Sequence, residues 1–317
     1  MIFFVTTSDH TYTLNEALRL AKGRPARVVT YDWLFRQSTV RAACVVFTDF
    51  DRLRHYELAA AGALFRQFRD AGIRVLNDPA RARQRYDLLH HLRAAGLNRF
   101  RAYRAIPRPA PQRFPVFVKS ETDHGQDFDF LIPDQAELER TLERIEADGV
   151  SLRNLLVIEF ANTPVRDTIY QRRTVYRIGD TFIAGNPVGE DSPFVKYGTP
   201  GLTSDEEFDA LAEWMRANPD AETLKRAFEI ARIDYGRADY GDDDGTIAIY
   251  EINTNPKIGT RLPDRHADFL RASQESLQAV IDAIAALDGE DRTVRLRHDK
   301  TWFSRLRFRA GFFLKMP

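Results

Sequence analysis

Short apolar runs alternate along this chain with stretches of helical period. Ile2–Thr6, Ala26–Thr30, Ala42–Phe47 and Ile73–Leu76 are rich in β-branched and aromatic residues and read as buried strands. Between them, Leu14–Lys22 predicts a short helix with Gly23 as its stop. Tyr56–Ala71 predicts a longer helix, with Leu58, Ala61, Leu64, Phe65 and Phe68 on one face and Gly72 at its end. Strands alternating with helices imply a parallel α/β lobe, which closes near Asn77-Asp78-Pro79.

The pattern then changes. Tyr86–Ala95 predicts a helix stopped by Gly96, and the Pro- and Arg-rich run Ile106–Pro111 reads as a hinge between lobes. Pro115–Lys119 and Leu155–Phe160 read as strands on either side of a helix at Ala136–Ala147. Thr174–Ile178 and Thr181–Ala184 flank Gly179-Asp180, a hairpin signal. Asp205–Ala217 and Ala221–Ala231 are helical, and Phe269–Leu287 is a long helix with Leu270, Leu277, Val280, Ile281 and Ile284 as its apolar stripe. No internal repeat and no low-complexity block interrupts the order.

With 317 residues, the chain can bury a sizeable core in two or three lobes. Lys+Arg and Asp+Glu each number 46, so net charge gives no case for a nucleic-acid partner. The balance hides one basic end, since Arg292–Pro317 carries +7 and the remainder −7. The segment 291–317 therefore reads as a basic, aromatic C-terminal tail suited to packing, to oligomer contact or to an anionic membrane surface. Cys44 stands alone in an apolar run, so it reads as a buried strand residue. No apolar run reaches the roughly 18 residues of a membrane helix, and a reducing cytoplasm is the expected setting.

The stretch richest in chemistry is Ile233–Tyr240 followed by Ile247–Pro256. Both halves read as strands, joined by the acidic turn Asp242-Asp243-Asp244-Gly245. Alternation sends Glu251 and Asn253 to one face and Ile252 to the other. In a hairpin Asp239 lies beside the first two, making a set of hard oxygen donors that suits Mg²⁺ with nucleotide phosphates. Arg237 lies two residues before Asp239, on the same face, where it can stabilise charge on a transferring phosphoryl group.

Asp239, Glu251-Ile-Asn253 and Asn255-Pro256 resemble the metal-binding end of the ATP-grasp superfamily, in the branch of glutathione synthetase, D-alanine–D-alanine ligase and the ribosomal-protein glutamate ligases. The resemblance implies an α/β chain in which ATP is clamped between antiparallel sheets. It divides the chain into an N-terminal α/β domain at 1–79 and an ATP-grasp domain at 80–290, with a central lobe about 106–165 and a C-terminal lobe about 166–290. It implies that Asp239, Glu251 and Asn253 hold Mg²⁺, or Mn²⁺ in its stead. Lys119 becomes the phosphate-contacting lysine. Glu159, Phe160 and Ala161 become the linker that reads adenine, with the Glu159 side chain beside the exocyclic amine. Asp167 becomes the ribose contact, Arg173 a phosphate contact, and Asn255 lies close to the phosphates or the acyl substrate.

Two features depart from that pattern. The loop Ser120–Gln126 has only Gly125 where phosphate-covering loops are Gly-rich, and it carries Glu121, Asp123 and His124. No Lys occurs between Lys22 and Lys119, so Arg83 or Arg85 would replace the upstream lysine. Lys196, Tyr197, Lys257 and Arg261 are further candidates for the substrate pocket. The function implied is an ATP-dependent ligase that activates a carboxylate as an acylphosphate and passes it to an amine, on small substrates or a peptide or polymer acceptor, in a homo-oligomer. Two alternatives stay open, a kinase acting on a hydroxyl and a nucleotide-binding scaffold without catalysis.

Overall fold

In a computed structural model of the chain, which describes residues 1–21, 26–122, 127–259 and 266–298, the apolar runs near the N-terminus form a parallel sheet. Strands β1 (Ile2–Thr6), β2 (Ala26–Thr30), β4 (Cys44–Phe47) and β5 (Arg74–Leu76) lie in the order β2-β1-β4-β5. Helices α1 (Asn15–Leu20), α2 (Tyr31–Leu34) and α3 (His55–Asp70) accompany them, with a 3-10 segment over Ser8–Leu14, kinked at His10, ahead of α1. Ala61, Leu64, Phe65 and Phe68 of α3 bury one face against Val45 and Phe47, as their spacing predicts.

The run Ala42–Phe47 is not one strand. It breaks at Ala43, and β3 (Thr39–Ala42) leaves the sheet to pair elsewhere. Cys44 is fully buried, and burial pushes its thiol up to about 12.

Beyond the parallel sheet, α4 (Arg85–Ala94) leads into the first antiparallel sheet. It consists of β6 (Ala102–Arg104), β7 (Val116–Ser120), β8 (Asp127–Ile132) and β9 (Leu155–Glu159) in the order β6-β9-β7-β8. Helix α5 (Gln135–Ala147) starts where the Asp134 carboxylate accepts from the Glu137 N–H at 2.9 Å. Its Leu138, Leu142 and Ile145 pack on Val116, Val118 and Val157.

The second antiparallel sheet contains β10 (Tyr170–Ile178), β11 (Thr181–Ala184), β12 (Val188–Glu190), β13 (Tyr235–Asp242) and β14 (Ile247–Asn253). Its order is β11-β10-β13-β14, with β12 paired to β10. Helices α6 (Asp205–Ala217), α7 (Ala221–Ala231) and α8 (Ala267–Ala285) cover its apolar face. Ser204 and Glu207 cap α6 reciprocally, and α7 ends where Arg232 turns left-handed.

The C-terminal segment is not wholly a tail. Arg292–Arg295 forms β15, which pairs antiparallel with β3, and Leu296 is buried with Val40 in the N-terminal core. The α-amino group of Met1 pairs with Asp288 and Asp291 at 3.2 and 2.6 Å, tying the two ends together. The rest of the basic, aromatic stretch, from residue 299 on, lies outside the described residues. Among the described residues no helix is long and apolar enough to cross a membrane.

Asn77 joins the parallel sheet to the second antiparallel sheet. It is 0 % exposed, with φ +60°, a conformation that Asn tolerates better than most residues. Its amide donates to the carbonyls of Phe47 and Tyr235 at 2.9 and 2.8 Å. Its Oδ1 accepts from the N–H groups of Asp234 and Tyr235 at 2.7 and 2.9 Å. One side chain thus satisfies four buried backbone groups from two lobes.

Two outcomes follow. Asn77→Ala should destabilise the fold by about 3 kcal/mol, because it orphans buried backbone groups and leaves Ala at positive φ; urea unfolding followed by circular dichroism reads the loss. Cys44, whose thiol stays protonated below about 12, should resist iodoacetamide at neutral pH in the folded chain and react once urea unfolds it, as mass spectrometry would read.

Candidate functional site

A cleft of about 1040 Å³ opens where the three sheets meet. Its floor is set by strand register. Thr174 of β10 pairs with Asp239 of β13, which pairs with Glu251 of β14; Tyr176 pairs with Arg237, which pairs with Asn253. Paired residues on neighbouring strands share a face, so Arg237, Asp239, Glu251 and Asn253 all line the cleft. Ala238 and Tyr240 point the other way and are buried in the core beneath α6 to α8. The pairing slips between Asp239 and Tyr240, where a bulge leaves Tyr250 without a partner residue. Tyr250 therefore also lines the cleft, donating from its hydroxyl to the Ala161 carbonyl at 3.1 Å. Burial holds its phenol protonated, well above the usual tyrosine range.

The carboxylates on this floor are answered by arginines. Asp239 is only 3 % exposed. Arg237 grips it with Nε and one terminal nitrogen at 2.6 and 2.8 Å, and Arg172 adds a third contact at 2.7 Å. Burial alone would lower the Arg237 pKa, but Asp239 and Tyr176 outweigh it and keep the guanidinium charged. Arg85, at the start of α4, pairs with Glu251 and donates to the Ser120 carbonyl at 2.5 Å. The Asn253 Oδ1 accepts from the Asn255 N–H at 2.8 Å.

The donor chemistry fits a hard cation. Among the described residues no three His, Cys, Asp or Glu side chains are grouped to hold a metal. Asp239 and Glu251 are completed by an amide oxygen, that of Asn253, and Mg²⁺ accepts such a set with phosphate oxygens and water. A guanidinium that neutralises a carboxylate here can equally grip a phosphate once a cation takes its place.

The opposite wall is apolar. Phe194 meets Phe117 and Phe160 with ring centroids 5.4 and 6.3 Å apart. Phe194 is held by the segment that follows β12, where Glu190 Oε1 accepts from the N–H groups of Lys196, Tyr197 and Gly198 at 2.9, 2.5 and 2.7 Å. Lys119 of β7 and Ala161 line the same wall. So does Asn162, whose Oδ1 is buried without a hydrogen-bond partner and so can accept from a ligand. Gly241 makes this corner possible, because a Cβ there would collide with the Tyr250 hydroxyl and approach Asn162 Oδ1.

Several expected contacts lie elsewhere. Glu159 does not offer its carboxylate to a base. It accepts from the N–H groups of Arg101, Gln112 and Arg113 at 2.9, 3.1 and 3.1 Å and from the Tyr103 hydroxyl at 2.8 Å, and so fastens the segment before β7. The N–H groups of Glu159 and Phe160 are likewise taken, by Arg101 and Pro115 carbonyls. Asp167 is 82 % exposed at the tip of a turn closed by Arg166 and Ile169, away from the cleft. Arg173 points to the helix side of β10, with its guanidinium 5.2 Å from the Trp214 ring. Alternation along β10 gives the cleft position to Arg172 instead. Farther along β10, Arg177 donates to the carbonyls of Gly179 in its own hairpin and of Ile233 ahead of β13. Asn255 lines the cleft, but its amide is spent on the N-terminal lobe, on Thr6, His10 and Thr13. Lys196, Tyr197 and Lys257 do line the cleft, whereas Asp123, His124, Gly125 and Arg261 lie outside the described residues.

The sequence reading did not find His10, Asp49 and Asn162. The first two follow the carboxyl ends of adjacent parallel strands, a position that was readable as a ligand-contacting one in an open α/β sheet. Nothing in the local sequence marks Asn162.

No protein-family model and no curated protein matches the sequence. Solved structures do resemble the fold. The ATP-grasp ligase PsnB, complexed with a phosphomimetic variant of its minimal precursor, Mg and ADP, aligns with a TM-score of 0.52 at 17% identity, over 90% of this chain and 96% of that one. The VanG D-Ala:D-Ser ligase of Enterococcus faecalis aligns at 0.51 and 13%, over 90% and 98%. The D-alanine-D-alanine ligase of Coxiella burnetii aligns at 0.51 and 13%, over 99% and 100%. The chain has the fold of these structures, the ATP-grasp fold.

Proposed function

We propose that the chain is an ATP- and Mg²⁺-dependent ligase that joins a carboxylate to an amine through an acylphosphate. The observation that carries the reading is the register of β13 and β14, which gathers Asp239, Glu251 and Asn253 on the floor of a cleft rimmed by Arg85, Arg172, Arg237 and Lys119. Transfer of a phosphoryl group needs charge neutralisation and positioning more than it needs a protein nucleophile. Mg²⁺, or Mn²⁺, on those three oxygen donors would neutralise charge on the phosphates. Arg172 and Arg237, released from Asp239, are positioned to grip phosphate oxygens bidentately. Lys119 adds a compact positive charge from the facing sheet. The aromatic wall of Phe117, Phe160 and Phe194 suits a purine, and the unpartnered Asn162 Oδ1 suits its exocyclic amine. Backbone contacts from Ala161 remain part of the reading, whereas the ribose contact from Asp167 and the phosphate contact from Arg173 are withdrawn.

The resemblance to ligases of amino acids and of a precursor peptide supports an amine acceptor, either small or a peptide. Arg85 stands where the upstream lysine was expected, so its partner Glu251 and the nucleotide would compete for a group that never deprotonates.

The test measures ADP and phosphate release from Mg·ATP with pooled amino acids. Amide product with free phosphate identifies a ligase, and a phosphorylated acceptor would make the chain a kinase. Asp239→Asn should lower the rate at least about 100-fold, and Glu251→Ala with Asn253→Ala should abolish it while circular dichroism stays native. Unchanged turnover in the double variant would sink the metal assignment.

A further inference from the structure

The N-terminal wall of the cleft carries a histidine–aspartate pair that the handling of ATP does not use. Thr7 follows β1 and Asp49 follows β4, so both leave the carboxyl ends of neighbouring parallel strands. The Asp49 side chain is fully buried, and its backbone is left-handed at φ +55°. Its Oδ2 lies 3.1 Å from Nδ1 of His10 and accepts from the Thr7 hydroxyl, while Arg52 holds the other oxygen. The Asp49 N–H donates to the Thr254 hydroxyl at 3.1 Å, locking the aspartate to the end of β14. This is the construction that fixes an imidazole as a base. With Nδ1–H donating to the buried carboxylate, the lone pair sits on Nε2, at the other side of the ring.

His10 itself is partly exposed and lines the cleft. It stands at the end of the cleft near Asn253, because Asn255 donates to the His10 carbonyl at 3.3 Å and to Asn253 Oδ1 at 2.8 Å. The other charged or titratable groups on its side of the cleft are Arg52, on the other oxygen of Asp49, Tyr12 with its ring 6.2 Å away, and Glu16 and Lys257, which line the same cleft.

Resting on the ligase reading, we infer that His10 is the general base for the acceptor nucleophile, with Asp49 as its positioning residue. An acceptor amine arrives as an ammonium and cannot attack. His10 Nε2 takes one proton and becomes imidazolium. The freed nitrogen bonds to the acyl carbon as the carbon–oxygen bond to phosphate breaks, and the phosphate leaves with the electron pair. The nitrogen's surplus proton goes to the departing phosphate, and the imidazolium returns its own to water. Asp49, held on its other oxygen by Arg52, is placed to stabilise the imidazolium.

The experiment uses the full chain with Mg·ATP and pooled amino acids, which supply both carboxylate and amine. Hydroxylamine serves as a parallel acceptor, since it is unprotonated at neutral pH and needs no base. His10→Gln should lower phosphate release with the amino acids about 10²- to 10⁴-fold and leave hydroxylamine-dependent release near the parent's. In His10→Gln the rate with amino acids should depend on free amine alone and climb with pH through the ammonium range, and Asp49→Asn should move part of the way to that profile, a change that a purely structural role would not cause. Equal rates for His10→Gln and parent with amino acids at every pH would overturn the inference while leaving the ligase reading intact. Loss with both acceptors at unchanged Mg·ATP affinity would overturn it too. A parent that releases no phosphate with either acceptor would remove the ligase reading itself, and the inference with it.

Discussion

Two carboxylates on the floor of a deep cleft set the terms for the whole molecule. Asp239 and Glu251 are register partners on β13 and β14, and Asp239 is almost wholly buried. Left alone, such charges would be too costly to keep ionised. Arg172, Arg237 and Arg85 answer them, one from β10, one from β13 itself and one from the start of α4. Removing one partner of a buried ion pair costs about 3–5 kcal/mol, so these contacts bind three separate elements to one site. The same arrangement presents positive groups that a polyphosphate can recruit and negative groups that a cation can claim.

Around that floor the lobes are fastened by side-chain amides. Asn77 ties the end of the parallel sheet to the start of β13, and Asn255 ties the end of β14 to the segment after β1. Both knots cross from the N-terminal lobe to the lobe that carries the carboxylates. They fix the wall that holds His10 and Asp49 relative to the floor that holds Asp239, so that a nucleophile and an activated acyl group could be brought together from opposite sides. The aromatic wall is shaped to do the corresponding work for a base under the ligase reading, with Phe194 delivered by a segment that Glu190 pins through three backbone N–H groups.

Much of this was legible in the sequence, because strong periodicity survives in single residues. Alternation along Ile247–Asn253 and the turn at Asp242–Gly245 were enough to bring Asp239 beside Glu251. The long helices were equally plain, and Asp205–Ala217 and Ala221–Ala231 have the bounds that their patterns predict. What failed was finer. Arg172 and Arg173 are neighbours, and a shift of one residue decides which faces the cleft; the sequence carries no mark of that phase. The bulge that turns Tyr250 inward is invisible for the same reason. The strands Ala102–Arg104, Val188–Glu190 and Arg292–Arg295 are too short, polar or charged to announce themselves, and pairing partners far along the chain make them strands. The carboxylate of Glu159 looked free because its donors, on Arg101, Tyr103, Gln112 and Arg113, flank the run Ile106–Pro111 and carry no pattern of their own.

In the proposed ligase, the arginines on Asp239 and Glu251 stand in for a cation and hand over to it when nucleotide arrives. A crystal structure of the full chain with Mg²⁺ and a non-hydrolysable ATP analogue tests it most directly. Mg²⁺ is expected on Asp239, Glu251 and Asn253, with Arg172 and Arg237 turned from Asp239 to the phosphates. Nucleotide bound with both guanidinium groups still on Asp239 and no metal on the three donors would contradict it.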